Sequence, residues 1–154
     1  MKRLLILGGG GHGRVVADIA HLNGYENIGF LDDSVDCGAL PFPRLGRCSD
    51  ANSYISDSDF IVAIGNSALR RNFQRQIASA GGNLITLIHP RAVVASTAVI
   101  GRGSVVMAGA VINPNAQNKL EDITIKKLTH GNPTMKAKFD EARRKAADQG
   151  VDEQ

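Results

Sequence analysis

Apolar and polar positions along this 154-residue chain fall into three regimes. Up to about residue 87, short apolar runs alternate with stretches of helical spacing. Leu4-Leu5-Ile6-Leu7 is continuous and closed by Gly8, which predicts a buried strand. Val15, Val16, Ile19, Ala20 and Leu22 then recur at helical spacing and predict a helix from about Gly13 to Asn23, stopped at Gly24. Ile28 to Leu31 predicts a second strand, Phe60 to Ile64 a third and Leu84 to Ile88 a last. Leu69, Phe73, Ile77 and Ala80 mark the apolar side of a helix from about Ser67 to Ala80, ended by Gly81-Gly82. Ser34 to Asp50 carries Pro41, Pro43 and Gly46 and reads as a loop with room for a short edge strand. Strands alternating with helices predict an α/β fold with a small parallel, Rossmann-like sheet.

The second regime is a repeat. From Ile88 to Gln117 the chain reads IHPRAV, VASTAV, IGRGSV, VMAGAV and INPNAQ. The first position is always a β-branched aliphatic (Ile88, Val94, Ile100, Val106, Ile112), and the fifth is always small (Ala92, Ala98, Ser104, Ala110, Ala116). A fixed period predicts coils that stack to bury their inward side chains. Six residues fit one flat face of a three-sided parallel β-coil, the aliphatic residue filling the interior and the small one letting the chain turn. The pattern lapses at Asn118, so these residues make less than two turns.

The third regime, residues 118–154, differs in kind. It holds 15 charged residues in 37, and its bases are mostly lysine where the body uses arginine. Asn132-Pro133 predicts a helix start, with Met135, Phe139, Ala142 and Ala146 as a thin apolar stripe and Gly150 as a stop. Such a helix is expected to be solvated, or to cap the open end of the repeat. The abrupt change suggests a C-terminus replaced by frameshift, recombination or truncation, which the DNA downstream of codon 117 would reveal. The expected divisions are therefore 1–87, 88–117 and 118–154.

Composition narrows the function. A hydrophobic content of 43% supports a real core, and a net charge of +3 with 5% aromatics and no Trp argues against a nucleic-acid partner. Cys37 and Cys48 lack a partner pair for zinc and read as reduced thiols. No His/Cys/Asp cluster has metal-ligand spacing, so no metal is expected. Neither a signal-peptide core nor a membrane span is legible, which places the chain in the cytoplasm by expectation.

The candidate chemistry lies in the glycine run. Gly8, Gly10 and Gly13 satisfy G-x-G-x-x-G directly after a strand and at the opening of a helix. Glycines there allow a tight turn and close approach by phosphates, which the helix N-terminus attracts. A turn that only packs helix on strand would use the same residues. Asp32, with Asp33, ends the second strand where a ribose-binding carboxylate belongs; the alternative is capping the following loop. His12 can donate to a phosphate or a sugar hydroxyl, or stand idle in solvent. Gly65-Asn66 closes the third long strand at the same edge, lining a ligand, capping the next helix, or both. His21 reads as surface, and His89 as a packing or turn residue.

In order, LLILGGGGHGRVVADIAHLNGYENIGFLDD, DFIVAIGN and LIHPRAVVASTAVIGRGSVVMAGAVINPNAQ resemble the sugar O- and N-acetyltransferases of the sialic-acid and bacillosamine type, over residues 3–117. The resemblance implies a Rossmann-like sugar-nucleotide domain joined to a left-handed parallel β-helix, a homotrimer, and acetyl-CoA as donor. It implies that Gly10, Gly11 and His12 hold the phosphates or sugar, that Asp32 and Asp33 contact the nucleoside, and that Gly65-Asn66 line the pocket. In that family a His in a later coil, followed closely by an acid, is the general base, and coenzyme A lies further along between subunits. This chain stops matching before either feature, so no catalytic residue is assigned and acetyl-CoA binding is not expected of it. Three functions follow: an acetyltransferase homologue with little or no turnover; a non-catalytic nucleotide-sugar-binding module; and, third, an NAD-binding Rossmann protein, which leaves the hexads unexplained.

Overall fold

The computed structural model describes residues 2–34 and 40–116. The helix expected after Asn132, and Cys37, lie outside these residues. Five parallel strands form one sheet in the order β3-β2-β1-β4-β5, from β1 (Arg3–Leu7), β2 (Ile28–Leu31), β3 (Arg44–Gly46), β4 (Ser58–Val62) and β5 (Asn83–Leu84). Helix α1 (Gly11–Leu22) follows β1, a 3₁₀ helix spans Cys48–Tyr54, and α2 (Ser67–Ser79) follows β4. Strand order reverses between β1 and β4, which is where open parallel sheets form their ligand crevice.

The uninterrupted apolar runs exist because both faces of this sheet are covered. Leu4, Ile6, Ile28, Phe30 and Ile61 point to one side and pack with Val16, Ala17, Ile19 and Ala20 of α1. Leu5, Leu7, Leu31, Phe60 and Val62 point to the other and pack with Cys48, Ala51 and Ile77. Each fully buried Leu, Ile or Phe contributes roughly 1.5–3 kcal/mol, which fixes the register.

Four expectations are corrected. Helix α1 starts at Gly11, two residues early, so His12 belongs to its first turn instead of to the preceding loop. Val15 and Leu22 are exposed, as is Leu69 on α2, because the buried stripe of each helix is narrower than the apolar spacing suggests. On α2 the inward residues are Arg70, Gln74 and Ile77. The run Leu84 to Ile88 is not one strand: β5 ends at Leu84, and β6 (Leu87–Ile88) starts a separate pairing.

In that pairing β6 lies parallel to β8 (Val105–Val106), and β7 (Val93–Val94) parallel to β9 (Val111–Ile112). Leu87 matches Val105 and Val93 matches Val111, so both ladders step by eighteen positions. The first and fifth hexad positions gather inward, with Ile88, Ala92, Val94, Ala98, Ile100, Val106, Ala110, Ile112 and Ala116 in one cluster. The sixth-position valines Val93, Val99 and Val111 face outward, whereas Val105 and Leu87 are buried in the core that includes α1. Asn23, just past α1, donates its side-chain amide to the Ile88 carbonyl at 2.9 Å and ties that helix to the first hexad.

Candidate functional site

The glycines divide by job. Gly8 has φ +107, and a Cβ there would meet the Ala63 carbonyl oxygen at 2.7 Å, so the end of β1 passes against the end of β4. A Cβ on Gly13 would overlap the Gly8 carbonyl oxygen, which is what lets α1 start so close to β1. Gly10 and Gly11, by contrast, face open space. Gly10 caps α1 without a side-chain hydrogen bond, and no acid lies in the first turn. The first N–H groups of a helix lack intrahelical acceptors and carry the positive end of its dipole, so this end suits an anion. His12 is half-buried in that turn.

Asp32, at the end of β2, is tied to this loop. Its Oδ2 accepts the Gly9 N–H at 2.6 Å and its Oδ1 accepts the Ser34 N–H at 2.8 Å. Arg44 Nε donates to the Asp32 main-chain carbonyl at 2.9 Å. Asp33 Oδ1 accepts the Cys48 N–H at 3.0 Å and so anchors the 3₁₀ helix. The loop-capping role weighed for these acids is therefore present. Cys48 lies buried with its thiol donating to the Leu31 carbonyl at 3.4 Å. Burial, then the neighbouring Asp33 and Asp32, push that thiol up to about 12, so it is neither nucleophile nor ligand at neutral pH.

At the end of β4, Asn66 Oδ1 accepts the Leu69 N–H at 2.9 Å and caps α2, the structural alternative weighed for it. One turn further in, Arg70 Nη1 donates to the Ile64 carbonyl at 3.0 Å. Arg70 is 7% exposed and Gln74 1%. Arg70 Nε and both amide atoms of Gln74 are buried without a hydrogen-bond partner among the described residues. Burial, with Arg71 nearby, lowers the Arg70 pKa. Sequence reasoning missed this pair because polar residues on a helix read as its solvent face, and the regular spacing of Leu69, Phe73 and Ile77 gave no signal against that.

The structure brings Gly8 to Gly13 and Asp32 together through the Gly9 contact, and joins them to the end of β4 through Gly8 and Ala63. His89 stands apart, its Nδ1 accepting the Arg91 N–H at 3.0 Å in a turn. Exposed His21 is also remote, on the last turn of α1. No group of three metal-ligating side chains occurs among the described residues, nor does any helix there have the length and apolarity to cross a membrane.

Residues 3–77 match the family model of the PglD N-terminal domain. The chain is 33% identical over 113 residues to the UDP-N-acetylbacillosamine N-acetyltransferase of Bacillus subtilis (strain 168), covering 70% of this chain and 52% of that protein. The acetyltransferase domain of PglB from Neisseria gonorrhoeae FA1090, solved with acetyl coenzyme A, superposes with a TM-score of 0.72 at 42% identity, over 77% of this chain and 58% of that one. PerB from Caulobacter crescentus, solved with CoA and GDP-perosamine, gives 0.69 at 30% identity, over 77% and 57%. The chain thus spans little more than half the length of these relatives. It carries a PglD N-terminal domain and is homologous to the bacillosamine and perosamine sugar acetyltransferases.

Proposed function

We propose that this chain binds a nucleotide-linked amino sugar or related sugar at the carboxyl edge of its parallel sheet, as a homologue of acetyl-CoA-dependent sugar acetyltransferases. Residues 1–87 form the nucleotide-sugar domain in this reading, and 88–117 the opening part of a left-handed parallel β-helix. The eighteen-position ladder supports the second assignment, because three hexads then make one coil. One observation carries the first: Asp32 holds the glycine loop by the Gly9 amide, directly before two glycines that face open space at the start of α1. Gly10, Gly11 and His12 would then receive the phosphates or sugar, and Asp32, Asp33 and Gly65-Asn66 the nucleoside side. Phosphate binding there needs no catalytic group, since backbone N–H donors and the helix dipole supply the attraction.

Acetyl transfer also requires a base to take the proton from the attacking amine or hydroxyl as it displaces the thioester. We assign that role to no residue of this chain, and expect little or no turnover from it alone. Acetyl-CoA is the donor expected from the homologues, with no residue here given to it. A thermal-shift titration tests the reading: UDP or GDP sugars should raise the melting temperature by linkage while acetyl-CoA does not. Stabilisation by NAD instead would restore the oxidoreductase alternative. Brisk release of free CoA with an amino-sugar acceptor would show that the chain is a working enzyme and would refute the binding-module form of the proposal.

A further inference from the structure

Arg70 is the fourth residue of α2 and is turned in against the sheet. Its Nη1 holds the carbonyl of Ile64, in the link that joins β4 to α2 just before Gly65 and Asn66. A peptide unit is planar and trans, so a carbonyl and the following N–H point in opposite directions. With the Ile64 carbonyl drawn toward Arg70, the Gly65 N–H is turned the other way. A Cβ on Gly65 would meet nothing within 4 Å, so the space beside the Gly65 Cα is open. The same link touches the glycine loop, because a Cβ on Gly8 would press on the Ala63 carbonyl at 2.7 Å and the Ile64 side chain at 3.3 Å.

A buried guanidinium with an unpartnered Nε and no carboxylate beside it among the described residues is a costly way to hold one neutral carbonyl. A local rule broken at the edge of a candidate pocket is what function tends to leave behind.

We propose that Arg70 is a positioning residue of the nucleotide pocket: it fixes the Ile64–Gly65 peptide so that the Gly65 N–H is presented to an acceptor oxygen of the bound nucleotide sugar. This inference rests on the pocket reading above.

The test uses the full 154-residue chain, calorimetric titration with UDP and with GDP, and the variants Arg70→Met and Arg70→Lys. Wild type should bind one of the two nucleotides. Arg70→Met should bind it at least about tenfold more weakly while melting no lower than wild type, and Arg70→Lys, which can still donate to the carbonyl, should stay within about threefold. In wild type, the amide resonance of Gly65 should move on saturation. Arg70→Met with wild-type affinity overturns the inference and leaves the pocket standing. An unmoved Gly65 resonance in a saturated wild-type sample also overturns it, whether or not Arg70→Met folds. A wild-type chain that binds neither nucleotide overturns the pocket reading, and the inference falls with it.

Discussion

The Asp32 carboxylate accepts the Gly9 amide at 2.6 Å, across twenty-three positions of sequence, and so locks the end of β2 to the turn that follows β1. A charged acceptor on a backbone donor gives a short, strong bond, and its second oxygen is engaged by Ser34 as well. Asp32→Asn keeps the shape but turns one acceptor into a donor facing an N–H. It should lower stability by about 1–3 kcal/mol in urea unfolding, and weaken UDP or GDP binding beyond what that loss explains. Unchanged stability would mean that the Gly9 contact does not form in solution.

Two neighbouring glycines should respond in opposite ways. Gly13→Ala places a methyl where the Gly8 carbonyl sits, so the helix must move off the strand and the fold should lose at least about 2–3 kcal/mol. Gly11→Ala meets open space in a helix, where alanine is favoured, and should raise stability by up to about 1 kcal/mol. The same methyl would stand in the path of a phosphate, so nucleotide affinity should fall in the more stable variant. Paired melting curves with and without UDP separate the two effects.

Cys48 should make the fold sensitive to alkali. Its folded pKa is about 12 against 9.0 for an ordinary thiol. Between these values the unfolded chain gives up the proton and the folded chain keeps it. Stability therefore falls as pH rises through that window and is untouched below it. Cys48→Ala should lose less stability than wild type between pH 9 and 11 when both are unfolded in urea. In native protein at pH 8, iodoacetamide should leave the Cys48 peptide unmodified, and urea should make it react.

Gln74→Leu should be neutral or stabilising, by up to about 2 kcal/mol, because it removes two buried amide atoms that lack partners among the described residues. Chemical unfolding of the variant decides this. A loss of more than about 1 kcal/mol would show that the amide is satisfied in solution.

Much of this architecture could be read from residue order. Continuous apolar runs announced β1, β2 and β4 because both sheet faces are covered, and Gly8 to Gly13 announced the turn because only glycine fits at its two ends. Hexad spacing foretold that the first-position aliphatics gather inward, whereas the small fifth-position residues, read as turn residues, join them in the same cluster. What stayed hidden has no apolar signature. The short edge strand expected within Ser34–Asp50 is present as β3, but with Leu45 as its one apolar member its place in that stretch could not be read, and the 3₁₀ helix Cys48–Tyr54 is held by Asp33 and Asp50 accepting backbone N–H groups. Leu84 and Leu87 look like one strand but belong to two sheets, a change of partner that periodicity cannot express. The inward turn of Arg70 is equally silent, because an arginine in a helix ordinarily faces water.

The eighteen-position ladder makes length changes in the hexad stretch quantised. Inserting or deleting one residue between Val94 and Val105 would unseat the match of Leu87 to Val105 and that of Val93 to Val111 together. Eighteen added residues restore both, with every first-position aliphatic side chain still facing inward. A gene encoding such a stretch can be lengthened or shortened cleanly only in blocks of eighteen codons, and every other frame-preserving edit there must be absorbed as a bulge on an outer corner.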